Sequence, residues 1–270
     1  MSPSQPPAEW RLPPGVSKGA WESFQQADWA AEEDPWLAGT PLVQLDQAFT
    51  EEQLPPPPGR IADLGCGAGR ISLALARRGY QPLAIDLSQG MLEHVRAKAE
   101  AEGLAIECRQ ENLVELGGIE PESCDGAVCL FSTLGMIRGA DNRRKAVEGF
   151  HRIIKPGGVI VLHAHQFWWS LRQHGGMRWL ARHLLDVVQN RTELGDRYAT
   201  YRGVPNFYLH SFRRRELRSL LQNAGFRITK MRALTGEGGD YLRAPWLVSP
   251  LRTGGWLIAC EKPKRNLRKE

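Results

Sequence analysis

Two kinds of apolar pattern alternate along most of this chain, namely short unbroken runs and longer helical stripes. The apolar runs occupy residues 60–64, 82–85, 104–108, 125–131 and 159–162. Short runs of this kind are typical of strands that are buried on both faces, as in a parallel sheet. Between several of them, apolar residues recur every three or four positions, as on one face of a helix. The pattern therefore predicts five successive strand units separated by helices or turns.

The regular alternation breaks after residue 165. The segment 166–211 carries one amphipathic stripe, in which apolar residues recur at helical spacing from 177 to 188. Another helical stripe follows it, and apolar runs at 226–231 and 256–260 predict two further strands. We therefore predict a doubly wound, mostly parallel α/β sheet that is covered by helices on both faces, with a helical insertion after the fifth strand.

The residues before the first strand differ from the rest. Four consecutive prolines at 55–58 form a stiff spacer, and four large aromatic residues precede it: Trp21, Phe24, Trp29 and Trp36. Because exposed aromatic surface is unfavourable in water, we predict that residues 1–58 form a helical cover on the main domain rather than a separate binding module. The main domain then comprises residues 59–165 and 212–262, and residues 263–270 form a basic tail.

Charge is distributed unevenly along the chain. Residues 1–59 contain nine acidic and two basic side chains, whereas residues 166–218 contain ten arginines, no lysine and four acids. Two interpretations remain open. Either the acidic extension packs on the basic insertion within one molecule, or the arginines bind an anionic partner such as RNA.

Targeting and redox signals are few. No apolar run approaches the roughly 20 residues needed to span a bilayer, and the proline-rich residues 1–14 do not follow a signal-peptide pattern. The five cysteines have no C-x-x-C spacing, which favours reduced thiols. We expect a cytoplasmic protein that does not associate with membranes.

The most informative motif follows the first strand. Asp63-Leu64-Gly65-Cys66-Gly67-Ala68-Gly69 lies between a predicted strand and a predicted helix, where glycines let the backbone approach a ligand closely. A dinucleotide fingerprint would require glycine where Arg70 stands, so the spacing argues against NAD or FAD. Asp86 ends the second strand, and Asn112 follows the third. Since parallel sheets bind ligands at the carboxyl ends of their strands, these residues predict one site, in which Asp86 can accept hydrogen bonds from ribose hydroxyls.

These motifs resemble those of class I S-adenosylmethionine (SAM)-dependent methyltransferases over roughly residues 60–165 and 212–262. The resemblance implies the seven-stranded sheet of that superfamily, SAM as the cofactor and S-adenosylhomocysteine (SAH) as the product. It also implies that Asn112, where the superfamily usually has Asp, accepts a hydrogen bond from adenine. The cofactor-binding residues implied in this way are Asp63, Gly65, Cys66, Gly67, Gly69, Asp86, Leu87, Met91, Asn112, Leu113 and Phe131.

The catalytic residue is not identified by the sequence. Methyl transfer from a sulfonium is an in-line displacement that depends mainly on alignment, and it requires a base only if the acceptor holds a proton. Weak candidates for a base are His165, Tyr208 and His210, and for each a structural role competes with this one. His163 and His165 alternate on a strand and therefore face the same side, but two histidines without a third ligand do not predict a metal site.

We predict a SAM-dependent methyltransferase that acts on a small-molecule acceptor, with residues 166–211 as a lid over the substrate. Two alternatives stay open. The first is an RNA methyltransferase whose arginine-rich insertion contacts phosphates; residues 208–217 also resemble, weakly, a late segment of tRNA wobble-uridine methyltransferases. The second is a non-catalytic SAM-binding protein. The acceptor, the methylated atom and the oligomeric state do not follow from the sequence.

Overall fold

A seven-stranded sheet forms the centre of the computed structural model, which describes residues 12–24, 30–173, 176–201, 203–236, 238–243 and 249–264. The strands are β1 (Arg60–Leu64), β2 (Gln81–Asp86), β3 (Glu107–Gln110), β4 (Cys124–Cys129), β5 (Ile154–His165), β6 (Asp196–Tyr201), β7 (Val204–His210), β8 (Arg227–Thr235) and β9 (Thr253–Glu261). Their order in the sheet is β3-β2-β1-β4-β5-β9-β8. The first five strands pair in parallel, and β9 is antiparallel to both of its neighbours. The predicted doubly wound, mostly parallel sheet of seven strands is confirmed.

Helices cover both faces of this sheet. They are α1 (Lys18–Phe24), α2 (Glu33–Ala38), α3 (Leu42–Gln53), α4 (Arg70–Arg77), α5 (Gln89–Ala101), α6 (Thr133–Met136), α7 (Ala140–Ile153), α8 (Ser170–Gln173), α9 (Met177–Val188), α10 (Arg214–Asn223) and α11 (Ser249–Arg252). Ser88 caps α5, because its side chain accepts a hydrogen bond from Met91 N. On one face, Val147 and Phe150 of α7 pack with Leu217 and Leu221 of α10.

The other face of the sheet is covered partly by the chain before the first strand. Leu42 and Phe49 of α3 belong to the same buried cluster as Ile71 and Leu75 of α4. Ion pairs support this packing at the edge of the cluster: Asp46 with Arg70, Glu51 with Arg78 and Glu52 with Lys230. These acids of the extension therefore pair with bases of the main domain, whereas Glu193 of the basic insertion pairs with Arg143 of α7.

The segment after β5 is helical only in its first half. A 3-10 turn (Phe167–Trp169), α8 and α9 are followed by β6 and β7, which form a separate antiparallel hairpin. The sequence prediction of a helical insertion was therefore wrong beyond Val188. The tyrosines and the Phe207-Tyr208 pair of this stretch favour a strand, but the helical stripe that precedes it dominated the prediction. The apolar residues of α9 also face outward, since Met177, Leu185 and Val188 are exposed and only His183 is buried.

One strand boundary was predicted inaccurately. β3 begins at Glu107 rather than at Leu104 and lies at the edge of the sheet, where its side chains are mostly exposed. An edge strand lacks the continuous apolar pattern of a central strand, so the apolar residues before it shifted the predicted start. In the part of the chain that the structure describes, no helix is both long and apolar enough to cross a bilayer.

Candidate active site

The loop between β1 and α4 has a conformation that favours glycine. Gly65, Gly67 and Gly69 have φ angles of 78°, 54° and 88°, in the left-handed region. The amide of Gly65 donates to Ile85 O at 2.8 Å, which ties the loop to β2. A Cβ atom on Gly65 would lie 2.4 Å from Thr133 Cγ2. The loop thus places bare backbone next to the carboxyl end of the sheet, as the motif predicted.

Asp86 is held against this loop by two backbone amides. Its Oδ2 accepts a hydrogen bond from Gly67 N at 3.0 Å, and its Oδ1 accepts one from Ser88 N at 2.8 Å. Burial raises the pKa of Asp86 above its ordinary value, against the opposing effect of these amides. Each carboxylate oxygen retains a second lone pair, so Asp86 can still accept hydrogen bonds from a ligand.

A first cavity of about 170 Å³ opens beside the loop and Asp86. Seven of the eleven sequence-predicted cofactor residues line it: Gly65, Gly67, Asp86, Leu87, Asn112, Leu113 and Phe131. Its wall also contains Val114, Thr133, Met136 and Ile137, which the sequence analysis did not identify. The apolar side chains form a slot with Asp86 at one side, an arrangement that suits a ligand with an aromatic base and a polar sugar.

A short N-terminal segment closes one side of the first cavity. Pro14, Gly15, Val16 and Ala20 contribute to its lining. Asn112 Nδ2 donates to Pro14 O at 2.9 Å, and Arg138 N donates to Gly15 O at 2.7 Å. We call residues 14–20 the strap. The contact between Asn112 and Pro14 joins residues 98 positions apart, so the sequence gave no local signal for it.

The side chain of Asn112 also forms a hydrogen bond within its own turn. Its Oδ1 accepts a hydrogen bond from Val114 N at 3.0 Å, while its Nδ2 reaches the strap. The same oxygen is the atom that the resemblance assigns to the adenine amino group, and a carbonyl oxygen can accept two hydrogen bonds. The adenine contact of Asn112 stays a prediction, and the structure adds a second role in holding the strap.

The four remaining predicted residues lie outside the wall of the first cavity. Asp63 accepts a hydrogen bond from Ser72 Oγ at 2.7 Å, and burial raises its pKa to about 6. Asp63 and Cys66 border a neighbouring recess of about 40 Å³ that extends to Phe131. Gly69 precedes α4, where a Cβ atom would meet Val95 Cγ2 at 2.7 Å, and Met91 is buried in a cluster behind the loop.

Two consecutive residues after β4 have an unusual backbone. Phe131 and Ser132 have φ angles of 51° and 61°, although neither is glycine. Ser132 Oγ accepts a hydrogen bond from His165 N at 3.2 Å, which links this turn to the end of β5. Strained backbone of this kind is concentrated at functional sites. It turns Phe131 so that the residue borders the first cavity, the recess and a second cavity.

The second cavity, of about 180 Å³, lies between the ends of β5, β8 and β9. Its lining comprises Trp36, Thr40, Leu42, Phe131, His163, His165, Leu234, Gly236, Gly238, Gly254 and Gly255. Among the residues described there, none is Asp, Glu, Lys or Arg. The second cavity therefore offers aromatic and aliphatic surface with two imidazoles as its main polar groups.

Both histidines of the second cavity are neutral at pH 7. Burial lowers the pKa of His163 to about 4. Burial is also the main cause that lowers the pKa of His165 well below its ordinary value, and electrostatic repulsion from Arg197 adds to it. Their rings lie 5.0 Å apart, so the prediction that the two side chains share one face is confirmed. Within the described part of the chain, His163 Nδ1 has no hydrogen-bond partner. An unsatisfied buried polar atom costs about 1–3 kcal/mol.

The other two candidate bases, Tyr208 and His210, line neither cavity. Both are buried on β7, and His210 lies between two carboxylates: Nδ1 is 2.8 Å from Asp196 Oδ1 and Nε2 is 2.7 Å from Glu216 Oε1. Burial alone would lower the pKa of His210, but the hydrogen bonds to Asp196 and Glu216 outweigh it and raise the pKa. Conversely, the hydrogen bonds of His210 lower the pKa of Glu216, against the effect of burial.

Tyr208 extends this network to α7. Its hydroxyl donates to Asp196 Oδ1 at 2.7 Å and accepts from Arg143 Nη1 at 2.9 Å, and burial raises the pKa of the phenol. Arg143 in turn pairs with Glu193. Ligand atoms of Glu193, Asp196 and His210 lie within 4.8 Å of one another, but Arg143, Tyr208 and Glu216 already hydrogen-bond with these three residues. The position of Tyr208 and His210 thus indicates a structural network rather than a base.

We expect the variant His210→Gln to lower the free energy of unfolding by about 3 kcal/mol near pH 6, since it leaves the buried Asp196 and the partly exposed Glu216 without their cation. The raised pKa of His210 means that its contribution is complete below about pH 6.5 and is lost as the pH rises through the folded-state value. The lowered pKa of Glu216 means that the carboxylate contribution is lost as the pH falls below about 4.5. Urea unfolding at about pH 5.5, 7 and 8.5 measures the difference from wild type.

The difference between wild type and His210→Gln should therefore be largest between these two limits and shrink at higher pH. His94→Gln, at a partly exposed position on α5, serves as the control and should change little at any pH. A stability loss in His210→Gln that is the same at all three pH values would contradict the ionised state assigned to His210.

Comparison with known proteins gives a consistent picture. Residues 61–158 match a family model described as "Methyltransferase domain". A protein of Geobacillus sp. (strain WCH70) that is named as a methyltransferase is 32% identical over 106 residues, which are 39% of this chain and 42% of the relative. A ubiquinone biosynthesis O-methyltransferase of Hahella chejuensis is 30% identical over 142 residues, or 52% of this chain and 57% of the relative. The matches thus span about half the length of these relatives.

Similarity to a solved structure extends further along the chain. A SAM-dependent methyltransferase from Methanosarcina mazei superposes with a TM-score of 0.63 at 26% sequence identity. The alignment covers 80% of this chain and 97% of that one. The similarity therefore extends over more of the chain than the segment matched by the family model.

Proposed function

Because this chain belongs to the class I S-adenosylmethionine-dependent methyltransferase superfamily, we propose that it transfers the methyl group of SAM to a small-molecule acceptor. The first cavity would hold the cofactor and the second cavity the acceptor. The observation that carries this proposal is the position of Phe131, which borders both cavities. Two sites that share one wall can bring a methyl donor and an acceptor into line, and alignment is the main requirement of the reaction.

The residues of the first cavity fit SAM. The carboxylate of Asp86 would bind the ribose hydroxyls, and Leu87, Leu113 and Ile137 would enclose the adenine. The bare backbone of the glycine loop leaves room for the methionine end, which Asp63 and Cys66 border from the recess. When bound, SAM supplies an electrophilic methyl group on a positively charged sulfur.

Other residues would exclude water and prepare the acceptor. The strap covers the first cavity and is held by Asn112 and by the amide of Arg138. His165 is neutral, so one of its ring nitrogens can take a proton from a protic acceptor in the second cavity. Of the three weak candidates for a base, His165 is the one that lines a cavity, and we propose it for this role.

Among the described residues that line the second cavity none is charged, and this supports a small molecule rather than RNA as the acceptor. An RNA methyltransferase would instead contact phosphates through exposed cations, such as Arg214 and Arg215 at the start of α10. The Hahella relative is named for O-methylation of a small molecule, which also favours the first interpretation. The five cysteines have no C-x-x-C spacing, which fits reduced thiols, and we propose a reducing compartment, the cytoplasm, as the location.

Calorimetry with SAM, SAH and NAD tests the proposal directly. We expect micromolar SAM and SAH binding without NAD binding, followed by SAH formation when a panel of small acceptors is added. Binding without turnover on any small acceptor, together with steeply salt-dependent tRNA binding and methylation, would favour the RNA alternative. SAM binding without turnover on small molecules or RNA would favour a non-catalytic protein. Failure to bind SAM would contradict the assignment of the first cavity.

A further inference from the structure

We propose that helix α9 binds the surface of an anionic membrane. Its outer apolar face would insert between the lipids, and its arginines would lie next to the lipid headgroups. The inference goes beyond the proposed function, because it assigns a partner to a helix of which no described residue lines either cavity.

The outer face of α9 is a stripe of apolar side chains that point away from the protein. Met177, Leu184, Leu185 and Val188 are 72%, 43%, 56% and 78% exposed, and the exposed Ala181 lies between them. Residues at this spacing fall on one side of a helix. Single exposed apolar side chains are common on protein surfaces, whereas a continuous stripe marks an interaction site.

The opposite side of α9 is packed against the protein. The rings of Trp179 and His183 stack with centroids 5.0 Å apart, and their centroids lie 6.1 and 6.2 Å from that of Phe167. Gly195 N donates a hydrogen bond to His183 Nε2 at 3.1 Å. These contacts fix the rotation of the helix about its axis, so the apolar stripe stays on the outside of the folded chain.

The charges on and around α9 are complementary to an anionic surface. Arg178 and Arg182 are exposed one turn apart, beside the apolar stripe. The one acid in the sequence of α9, Asp186, has its Oδ1 3.7 Å from Nη1 of Arg191. Residues 170–192 contain four arginines and one acid. An apolar face flanked by arginines is typical of helices that lie in the membrane interface, where each cation near anionic lipids strengthens binding.

A second copy of the chain and RNA both fit this face less well. A helix of this length is about 18 Å long and about 10 Å wide, so its outer face covers roughly 200 Å². A stable protein–protein interface buries about 800 Å² per partner. A symmetric pair of α9 helices would also place arginines of both copies in one interface. RNA would bind the arginines but leave the apolar stripe in water.

Binding of this kind needs no membrane-spanning segment. The sequence-based expectation that the protein does not associate with membranes considered only segments long enough to cross a bilayer. Helix α9 has 12 residues and is shorter than the bilayer core is thick. A helix that lies flat in the interface inserts only its apolar side, to a depth of about 5–10 Å.

Flotation of the full chain with lipid vesicles tests the inference. The vesicles consist either of phosphatidylcholine alone or of an equimolar mixture of phosphatidylcholine and phosphatidylglycerol, which is anionic. We expect binding to the anionic vesicles to be at least tenfold tighter than to the neutral ones, and this difference should shrink at high salt because ions screen the arginines.

Two double variants separate the apolar and the electrostatic contributions. Leu185→Gln/Val188→Gln removes exposed apolar surface and should bind anionic vesicles at least tenfold more weakly than wild type does. Arg178→Gln/Arg182→Gln keeps the apolar stripe and should bind the two kinds of vesicle with similar affinity. All four positions are exposed, so we expect thermal unfolding to stay as in wild type.

The matched control for the loss of charge is Arg214→Gln/Arg215→Gln. These two arginines are also exposed on a helix, at the start of α10, but they do not flank an apolar stripe of exposed residues. This variant should bind both kinds of vesicle as wild type does. SAH affinity should be unchanged in all three double variants, and failure of SAH to bind to wild type would contradict the proposed function alone.

Equal affinity of the wild-type chain for neutral and anionic vesicles would overturn the inference. So would wild-type vesicle binding by a folded Leu185→Gln/Val188→Gln variant. A dimer that dissociates in this variant, seen by sedimentation in the absence of vesicle binding, would show that a second copy covers the stripe. Binding of tRNA that is lost in Arg178→Gln/Arg182→Gln, again without vesicle binding, would show that the arginines serve RNA. Either result would overturn the membrane assignment.

Discussion

The variant Asp86→Ala is expected to bind SAM at least about 100-fold more weakly than the wild-type protein. Two hydrogen bonds from ribose hydroxyls to a buried carboxylate are worth about 1.5–3 kcal/mol each, and 1.4 kcal/mol corresponds to a tenfold change in affinity. The amides of Gly67 and Ser88 also lose their acceptor, so the glycine loop loses one of its attachments to the end of β2. Calorimetry with SAM and SAH measures the affinity, and thermal unfolding measures the accompanying loss of stability.

Two further variants separate the possible causes in this experiment. Asp86→Asn preserves the shape of the side chain but replaces one acceptor oxygen with a donor group, so we expect an intermediate loss of affinity. Asp141→Ala removes a carboxylate from the exposed first turn of α7 and should leave SAM binding unchanged. A folded Asp86→Ala variant with wild-type affinity for SAM would show that Asp86 does not hold the ribose.

The variant Gly65→Ala is expected to abolish tight SAM binding and to destabilise the fold by about 2–4 kcal/mol, through overpacking and a left-handed alanine. The new Cβ atom would lie 2.4 Å from Thr133 Cγ2, and the hydrogen bond from Thr133 Oγ1 to Leu130 O holds that side chain in place. The loop must therefore move, and the backbone that faces the first cavity moves with it. Thermal unfolding and SAM calorimetry measure the two effects.

The chain offers a matched control for the backbone strain. Gly103 has a φ angle of 64°, similar to the 78° of Gly65, but a Cβ atom there would have nothing within 4 Å. Gly103→Ala should thus cost only the left-handed strain of about 1–2 kcal/mol and leave SAM affinity unchanged. The double variant Gly65→Ala/Thr133→Ser removes the methyl group involved in the clash and should recover part of the stability. Equal destabilisation by Gly65→Ala and Gly103→Ala would contradict the steric explanation.

The sequence predicted correctly those features that depend on residues close together in the chain. Glycines in a strand-to-helix turn and an acid at the end of the next parallel strand lie at one edge of a sheet whatever the remainder of the chain does. For this reason the glycine loop and Asp86 were placed together correctly. The apolar runs likewise identified the strands, because a strand buried on both faces has no polar side to interrupt its pattern.

Long-range packing explains what the sequence analysis missed. The β6–β7 hairpin depends on partners that are remote from any helical stripe, and its network joins His210 and Tyr208 to Arg143 of α7. The strap reaches the first cavity through the contact of Asn112 with Pro14. The periodicity of apolar residues reflects neighbours that are a few positions apart in the sequence. These contacts, in contrast, join segments that meet only in the folded chain.

The sequence by itself therefore determined the type of sheet, the glycine loop and the acid at the end of β2, because each depends on residues close together in the chain. Only the tertiary structure decided that Phe131 borders two cavities, and that His163 and His165 line the second cavity without charged neighbours in its described wall. It also decided that Tyr208 and His210 belong to a structural network. The different surroundings of these buried side chains explain why the histidines have different pKa values. The pKa of a histidine follows from the atoms packed around it, and those atoms come from strands and helices far apart in the sequence.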